Sequence, residues 1–136
     1  MPPVYEEWLA FVAAQLPAPV AREEALDGSI YFTGGDPAQI IVRLTRATLT
    51  VWEYAVVWEG PHTPVVRPIR AGSIAWRRLS NTHAFTAARA LMDAAIESRL
   101  SKFGTCTHCG QRRPPESMHD DDVCQSCAQR DLGVVY

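Results

Sequence analysis

Tyr5, Trp8, Leu9, Val12 and Leu16 recur at helical spacing near the start of the chain. Pro17 and Pro19 follow, and proline supplies no ladder N–H, so the pattern predicts a short amphipathic helix that stops before Pro17. A charged connector leads to a short strand over Ser29–Thr33, and the Gly34-Gly35-Asp36-Pro37 cluster reads as a turn. From Gln39 to Thr45 the chain alternates. Ile40, Val42 and Leu44 fall on one face and Ile41, Arg43 and Thr45 on the other, the pattern of a half-exposed strand.

Between Thr48 and Trp58 both faces are apolar or aromatic: Leu49, Val51, Ala55 and Val57 oppose Trp52, Tyr54, Val56 and Trp58. Such a run predicts one central strand covered on both sides. The Gly60-Pro61-His62-Thr63-Pro64 stretch is a loop, and Val65–Arg70 and Ser73–Leu79 are further strands joined around Ala71-Gly72. A long helix follows, capped by Asn81 or Thr82, because Phe85, Ala88, Met92, Ala95, Ile96, Arg99 and Phe103 share a face with no internal glycine or proline. Gly104 is the expected stop.

Strands joined by short connections favour an antiparallel meander. The expected class is α+β: an antiparallel sheet of about four to five strands flanked by the N-terminal helix and the long helix. The expected domains are an α+β domain over residues 1–103 and a small cysteine module over 104–136.

The chain has 136 residues, 47% hydrophobic and 21% charged, which suits a folded protein with a real core. Its apolar runs are too short to span a membrane, and Met1–Trp8 lacks the basic start and apolar stretch of a leader, so a cytoplasmic location is expected. Net charge is -2, yet unevenly spread. Arg22 is the one cation among residues 1–36, whereas Arg43, Arg46, Arg67, Arg70, Arg77 and Arg78 face just Glu53 and Glu59 between Pro37 and Ser80. These arginines are either a basic binding surface or solvated positions balanced by the acidic N-terminal part.

The strongest chemical signal is the pair Cys106-x-x-Cys109 and Cys124-x-x-Cys127, which holds every cysteine of the chain. Two such pairs let tight turns place four sulfurs on one tetrahedral ion, and a reducing cytoplasm favours metal over disulfides. Gly110 permits the sharp turn of a zinc knuckle. Val123–Leu132 then reads as a short helix carrying Cys124 and Cys127 in its first turn, with Asp121 or Asp122 as cap. The implied cofactor is one structural Zn²⁺ per chain on Cys106, Cys109, Cys124 and Cys127, since four thiolates leave no open coordination position. His108 and His119 read as surface residues, and Arg112 and Arg113 as cations that either offset the thiolates or contact a partner.

Cys106-Thr-His-Cys109-Gly110, Pro114-Pro115-Glu116 and Val123-Cys124-Gln-Ser-Cys127 resemble the C-terminal zinc finger of the DksA/TraR family of transcription factors. The resemblance covers residues 104–132 alone and implies a treble-clef-like structural zinc with the same four ligands. The long coiled coil of that family has no counterpart in this chain, so polymerase regulation is not carried over.

Asp120, Asp121 and Asp122 are adjacent and cannot all face one ion, so helix capping explains them better than a second metal. Trp52, Tyr54 and Trp58 form a stripe read as core, with a ligand or base-stacking platform as the alternative. His62, His83, Glu53 and Glu59 form no constellation typical of an enzyme. Glu53 interrupts an apolar strand face, where a carboxylate needs a partner such as Arg43 or Arg67. The expectation is a non-catalytic zinc protein that binds another protein, with self-association through the sheet as an option. The alternative is a nucleic-acid-binding or transcription-associated regulator using the finger and the arginine-rich sheet surface.

Overall fold

A computed structural model describes residues 4–136. The first three residues, which open the expected 1–103 domain and the Met1–Trp8 stretch, lie outside the described residues. The chain divides into two units: residues up to Ala55 with Pro68–Arg99, and Val56–Arg67 with Leu100–Tyr136.

The first unit is α+β, as its periodicities predict. It contains helices α1 (Tyr5–Gln15) and most of α2 (Asn81–Ser101). Its antiparallel sheet has five strands, β1 (Val20–Glu24), β2 (Ile30–Gly35), β3 (Ala38–Leu44), β4 (Leu49–Glu53) and β7 (Ile69–Ile74), in the order β1-β2-β3-β4-β7. The register aligns Phe32 with Val42 and Val42 with Val51. These residues, with Ile30, Ile40, Leu44 and Leu49, form the buried face. Both helices pack on that face, α1 through Trp8, Val12 and Leu16 and α2 through Ala84, Ala88, Met92 and Ala95.

An aromatic cluster ties the helices together. Trp8 stacks on Phe85 at 4.5 Å between ring centroids and meets Trp76 at 5.5 Å. Trp76 lies in a 3-10 turn (Trp76–Arg78), where its Nε1–H donates to the Thr45 carbonyl at 3.0 Å, so its polar atom is satisfied inside the core.

Several elements differ from expectation. The Thr48–Trp58 run is not one strand: β4 ends at Glu53, and Val56–Trp58 forms β5, paired with β6 (Pro64–Val66) in a hairpin of the second unit. Trp52 and Tyr54 are half-buried and Trp58 is 43% exposed, so the aromatic stripe is not core. The supposed charged connector is β1, an edge strand with four of its five residues exposed, and hydrophobic alternation cannot reveal such a strand. Nor do two strands meet at a turn around Ala71-Gly72. β7 continues through Gly72 with a register shift against β4 that leaves Ala71 unpaired, and a Cβ on Gly72 would lie 2.7 Å from Cδ2 of Leu91, so the glycine permits close helix–strand approach. The helix α2 is capped by Ser80, whose Oγ accepts the His83 N–H at 3.4 Å, rather than by Asn81 or Thr82.

Among the described residues of this unit two charges are buried. Arg99, 2% exposed, donates Nε–H to the Ala38 carbonyl at 3.1 Å and places its guanidinium 5.5 Å from the Tyr54 ring centroid. Glu53 is 4% exposed. The arginines expected for it bond elsewhere: Arg43 pairs with Asp27 at 2.8 Å, and Arg67 pairs with Glu59.

The second unit is small. Besides the β5–β6 hairpin it holds the two-residue strands β8 (Gly104–Thr105) and β9 (Arg112–Arg113), a 3-10 turn (Pro115–Ser117) and helix α3 (Gln125–Leu132). Gly104 is no left-handed helix stop: it pairs with Arg113 across β8–β9. Its lack of a side chain accommodates Met118, whose Cε would lie 3.3 Å from a Cβ there.

Candidate metal centre

Two local structures deliver the sulfurs. After β8 the chain enters a knuckle, in which the Gly110 N–H donates to the Cys106 carbonyl at 2.8 Å and the Cys106 N–H to the Gln111 carbonyl at 3.0 Å. Gly110 takes φ +73°, a left-handed angle that glycine adopts cheaply, and the turn brings Cys106 and Cys109 to the same side. The second pair comes from α3. Cys124, at extended angles, is itself the N-cap, and the Ala128 N–H donates to its carbonyl at 2.9 Å.

This corrects the expected caps, Asp121 and Asp122. The shaping carboxylate is Asp120, whose Oδ1 accepts the N–H groups of Asp122 and Val123, each at 2.8 Å, and these bonds hold its pKa below the usual carboxylate value. Asp120 thus braces the turn into Cys124. The helix closes at Gly133, at φ +69°, and the Val134 N–H returns to the Ala128 carbonyl at 3.2 Å.

The four sulfurs lie within 4.8 Å of one another, and those of Cys109 and Cys124 are 3.9 Å apart. A tetrahedral ion with sulfur at about 2.3 Å separates its sulfurs by about 3.8 Å, so the donor set fits a zinc-sized ion. None of the four is in a disulfide. Cys106, Cys124 and Cys127 are buried, whereas Cys109 is exposed. Val123, Ala128, Met118 and Val134 pack around the cluster and keep its inner side dry.

Close packing pulls the acidities of two of these thiols apart. Backbone groups of Cys124, Cys109 and His108 bond the Cys106 sulfur and, despite its burial, bring its pKa down to about 6. Burial and then contact with the other three sulfurs push Cys127 up to about 12. Four thiolates cannot coexist at this spacing unaided; a divalent ion among them deprotonates a coordinating thiol outright.

The other predicted residues are placed as follows. His108 turns away from the sulfurs, with Nδ1 2.9 Å from Oδ2 of Asp131. His119 bonds the Tyr136 hydroxyl, and their rings meet edge-on at 5.8 Å. Asp121 and Asp122 are exposed. Arg112 donates to the Leu100 carbonyl at 2.8 Å and lies 5.9 Å from the Phe103 ring centroid, bonding the end of α2. The cation at the sulfurs is Arg130, which the sequence reading passed over: its Nη2 donates to Cys127 Sγ at 3.4 Å. The signal was its position three residues after a cysteine on a helix. His62 is exposed in the β5–β6 connection, and His83 bonds Ser80 at the start of α2.

The hairpin of this unit exposes Val57, Trp58 and Val66. A groove of ≈ 300 Å³ is lined by Trp58, Pro61, Met118, His119, Gln125 and Tyr136. Among the described residues no helix is long and apolar enough to cross a membrane.

No protein-family model, curated protein or solved structure matches the chain. The likeness to the DksA/TraR finger therefore stands on the motif residues themselves.

Proposed function

We propose that this chain is a non-catalytic, zinc-structured protein of the cytoplasm whose C-terminal finger resembles a treble clef and whose role is to bind another protein. Cys106, Cys109, Cys124 and Cys127 hold one Zn²⁺. Its chemistry is structural, because four thiolates fill a tetrahedral shell and leave no position for water or substrate. The observation that carries the interaction role is exposed Trp58 and Val66 on one face of the β5–β6 hairpin, which belongs to the same small unit as the cysteine cluster. A cluster that organises so little chain with so little core serves to hold a surface in shape. Tryptophan is the residue type most enriched among interface anchors.

The test is photo-crosslinking from position 58 in cells, compared with a probe at exposed Leu26 in the other unit. A discrete protein adduct from position 58 alone, lost on Val66→Asp, supports the reading. Equal, diffuse labelling from both positions counts against it.

A second reading is favoured by the sheet face opposite the helices. There Tyr31 and Trp52 lie near-parallel with centroids 6.4 Å apart, and Arg43 sits over Tyr31 at 6.0 Å. Arg70 pairs opposite Trp52 in the register. Aromatic rings beside arginines on an antiparallel sheet suit stacked, single-stranded bases. Trp52 fluorescence titrated with an oligothymidylate at low salt decides it. Quenching that weakens steeply with salt and disappears in Arg70→Ala favours nucleic acid; no quenching at low salt removes this reading.

A further inference from the structure

We propose that Arg130 is an outer-shell residue of the metal centre that controls retention of the ion, and that Asp131 positions it. This rests on the zinc reading above. Arg130 stands one turn along α3 from Cys127, and its Nη2–H reaches Cys127 Sγ at 3.4 Å. The guanidinium is fixed by Asp131, whose Oδ1 accepts from Nε at 2.8 Å and whose Oδ2 accepts from Nη2 at 3.0 Å. Oδ2 also accepts from His108 Nδ1 at 2.9 Å. A carboxylate can only accept, so Nδ1 carries the proton.

The connectivity gives the network its meaning. His108 lies in the knuckle between two of the cysteines, whereas Arg130 and Asp131 lie on the helix that carries another. One carboxylate therefore clips the knuckle to the helix outside the metal. The same carboxylate aims a cation at a sulfur. Zinc with four thiolates carries two net negative charges, and an N–H···S bond draws electron density from the sulfur it reaches. Outer-shell partners of this kind orient and tune metal ligands. The side chain must be arginine, because the planar fork serves a carboxylate and a sulfur together, which a lysine point charge cannot. Arg130 is 65% exposed, so its replacement leaves the core of the unit intact.

The test uses the full-length zinc-loaded protein and two readouts: zinc release to excess chelator, and the sulfur-to-metal charge-transfer band after cobalt substitution. For Arg130→Gln we expect release to accelerate by about ten- to a hundredfold, as for other outer-shell losses. The cobalt band should move to lower energy as the Cys127 sulfur becomes more electron-rich. Arg130→Lys should restore part of the retention, and Asp131→Asn should shift both readouts in the direction of Arg130→Gln. Wild-type retention with an unmoved band in Arg130→Gln overturns the proposal. Faster release with an unmoved band also overturns it, leaving Arg130 a packing role. A wild-type protein that binds neither zinc nor cobalt overturns the zinc reading itself, an outcome read before any variant is made.

Discussion

Cys109 and Cys124 hold their sulfurs 3.9 Å apart across 15 positions of chain, one residue exposed and the other buried. That asymmetry orders their reactivity. An electrophile reaches Cys109 first, because burial shields Cys106, Cys124 and Cys127. Limited alkylation of the zinc-loaded protein, mapped by peptide mass, should label Cys109 well ahead of the others. Simultaneous labelling of all four would show that the unit opens as a whole before it reacts.

Buried ligands are the costlier ones to lose. Cys124→Ser keeps a good cap for α3 and removes one of the four sulfur donors, so the second unit should unfold, while the first keeps its own core of Trp8, Phe32, Val42 and Met92. Zinc binding contributes on the order of 10 kcal/mol or more in isolated fingers. Amide exchange resolved by segment should show residues 100–136 losing protection and β2–β4 keeping it. Loss of protection throughout the chain would mean that the two units fold as one.

Gly72 tests the packing of α2 on β7. Gly72→Ala puts a methyl against the free end of the half-buried Leu91 side chain, which can turn aside, so the cost should stay under about 1.5 kcal/mol. Leu91→Ala in that background should cost less than Leu91→Ala in the wild type. Additive costs in denaturant melts would contradict the contact.

Asp27 sets a pH dependence. Bonds from the Ser29 hydroxyl and N–H, and then from Arg43, lower its pKa to about 2. A carboxyl whose folded pKa is depressed adds stability that is fully present above its unfolded value, about 4, and is lost as pH falls through the folded value. The stability gap between wild type and Asp27→Asn should therefore be constant from pH 5 to 7 and close between about pH 4 and 2. A gap that persists at pH 2 would place the effect elsewhere.

Arg99 and Glu53 are charges in an apolar interior, and charges persist there only when compensated. Arg99 bonds Ala38 at the start of β3, and Glu53 ends β4 opposite Ile40. Arg99→Met should cost about 3–5 kcal/mol, the expected loss when one charge of a buried set is removed. A double-mutant cycle with Glu53→Gln should show coupling. Additivity would separate the two charges.

Features that depend on local periodicity were legible in the sequence. The helical face of Ala88, Met92, Ala95 and Arg99, the alternation of β3 and the paired cysteines all arise from spacing along one element. What spacing cannot carry was missed. Val20–Glu24 has no apolar alternation because it lies at an edge, and it is a strand only because β2 pairs with it. The Thr48–Trp58 run looks continuous, yet the chain leaves the sheet at Tyr54 and Ala55, and Trp58 belongs to another unit. Gly72 reads as a turn by composition and is a contact by tertiary structure. Arg130 lies three residues after Cys127 on a helix the spacing already predicts, yet spacing does not say which way a long, flexible side chain turns.

In the proposed zinc site, four cysteines fold the C-terminal unit around one ion. Native mass spectrometry of the untagged protein, purified under reducing conditions, tests it most directly. The account predicts one zinc per chain with all four cysteines reduced. A metal-free chain whose mass shows two disulfides would contradict it.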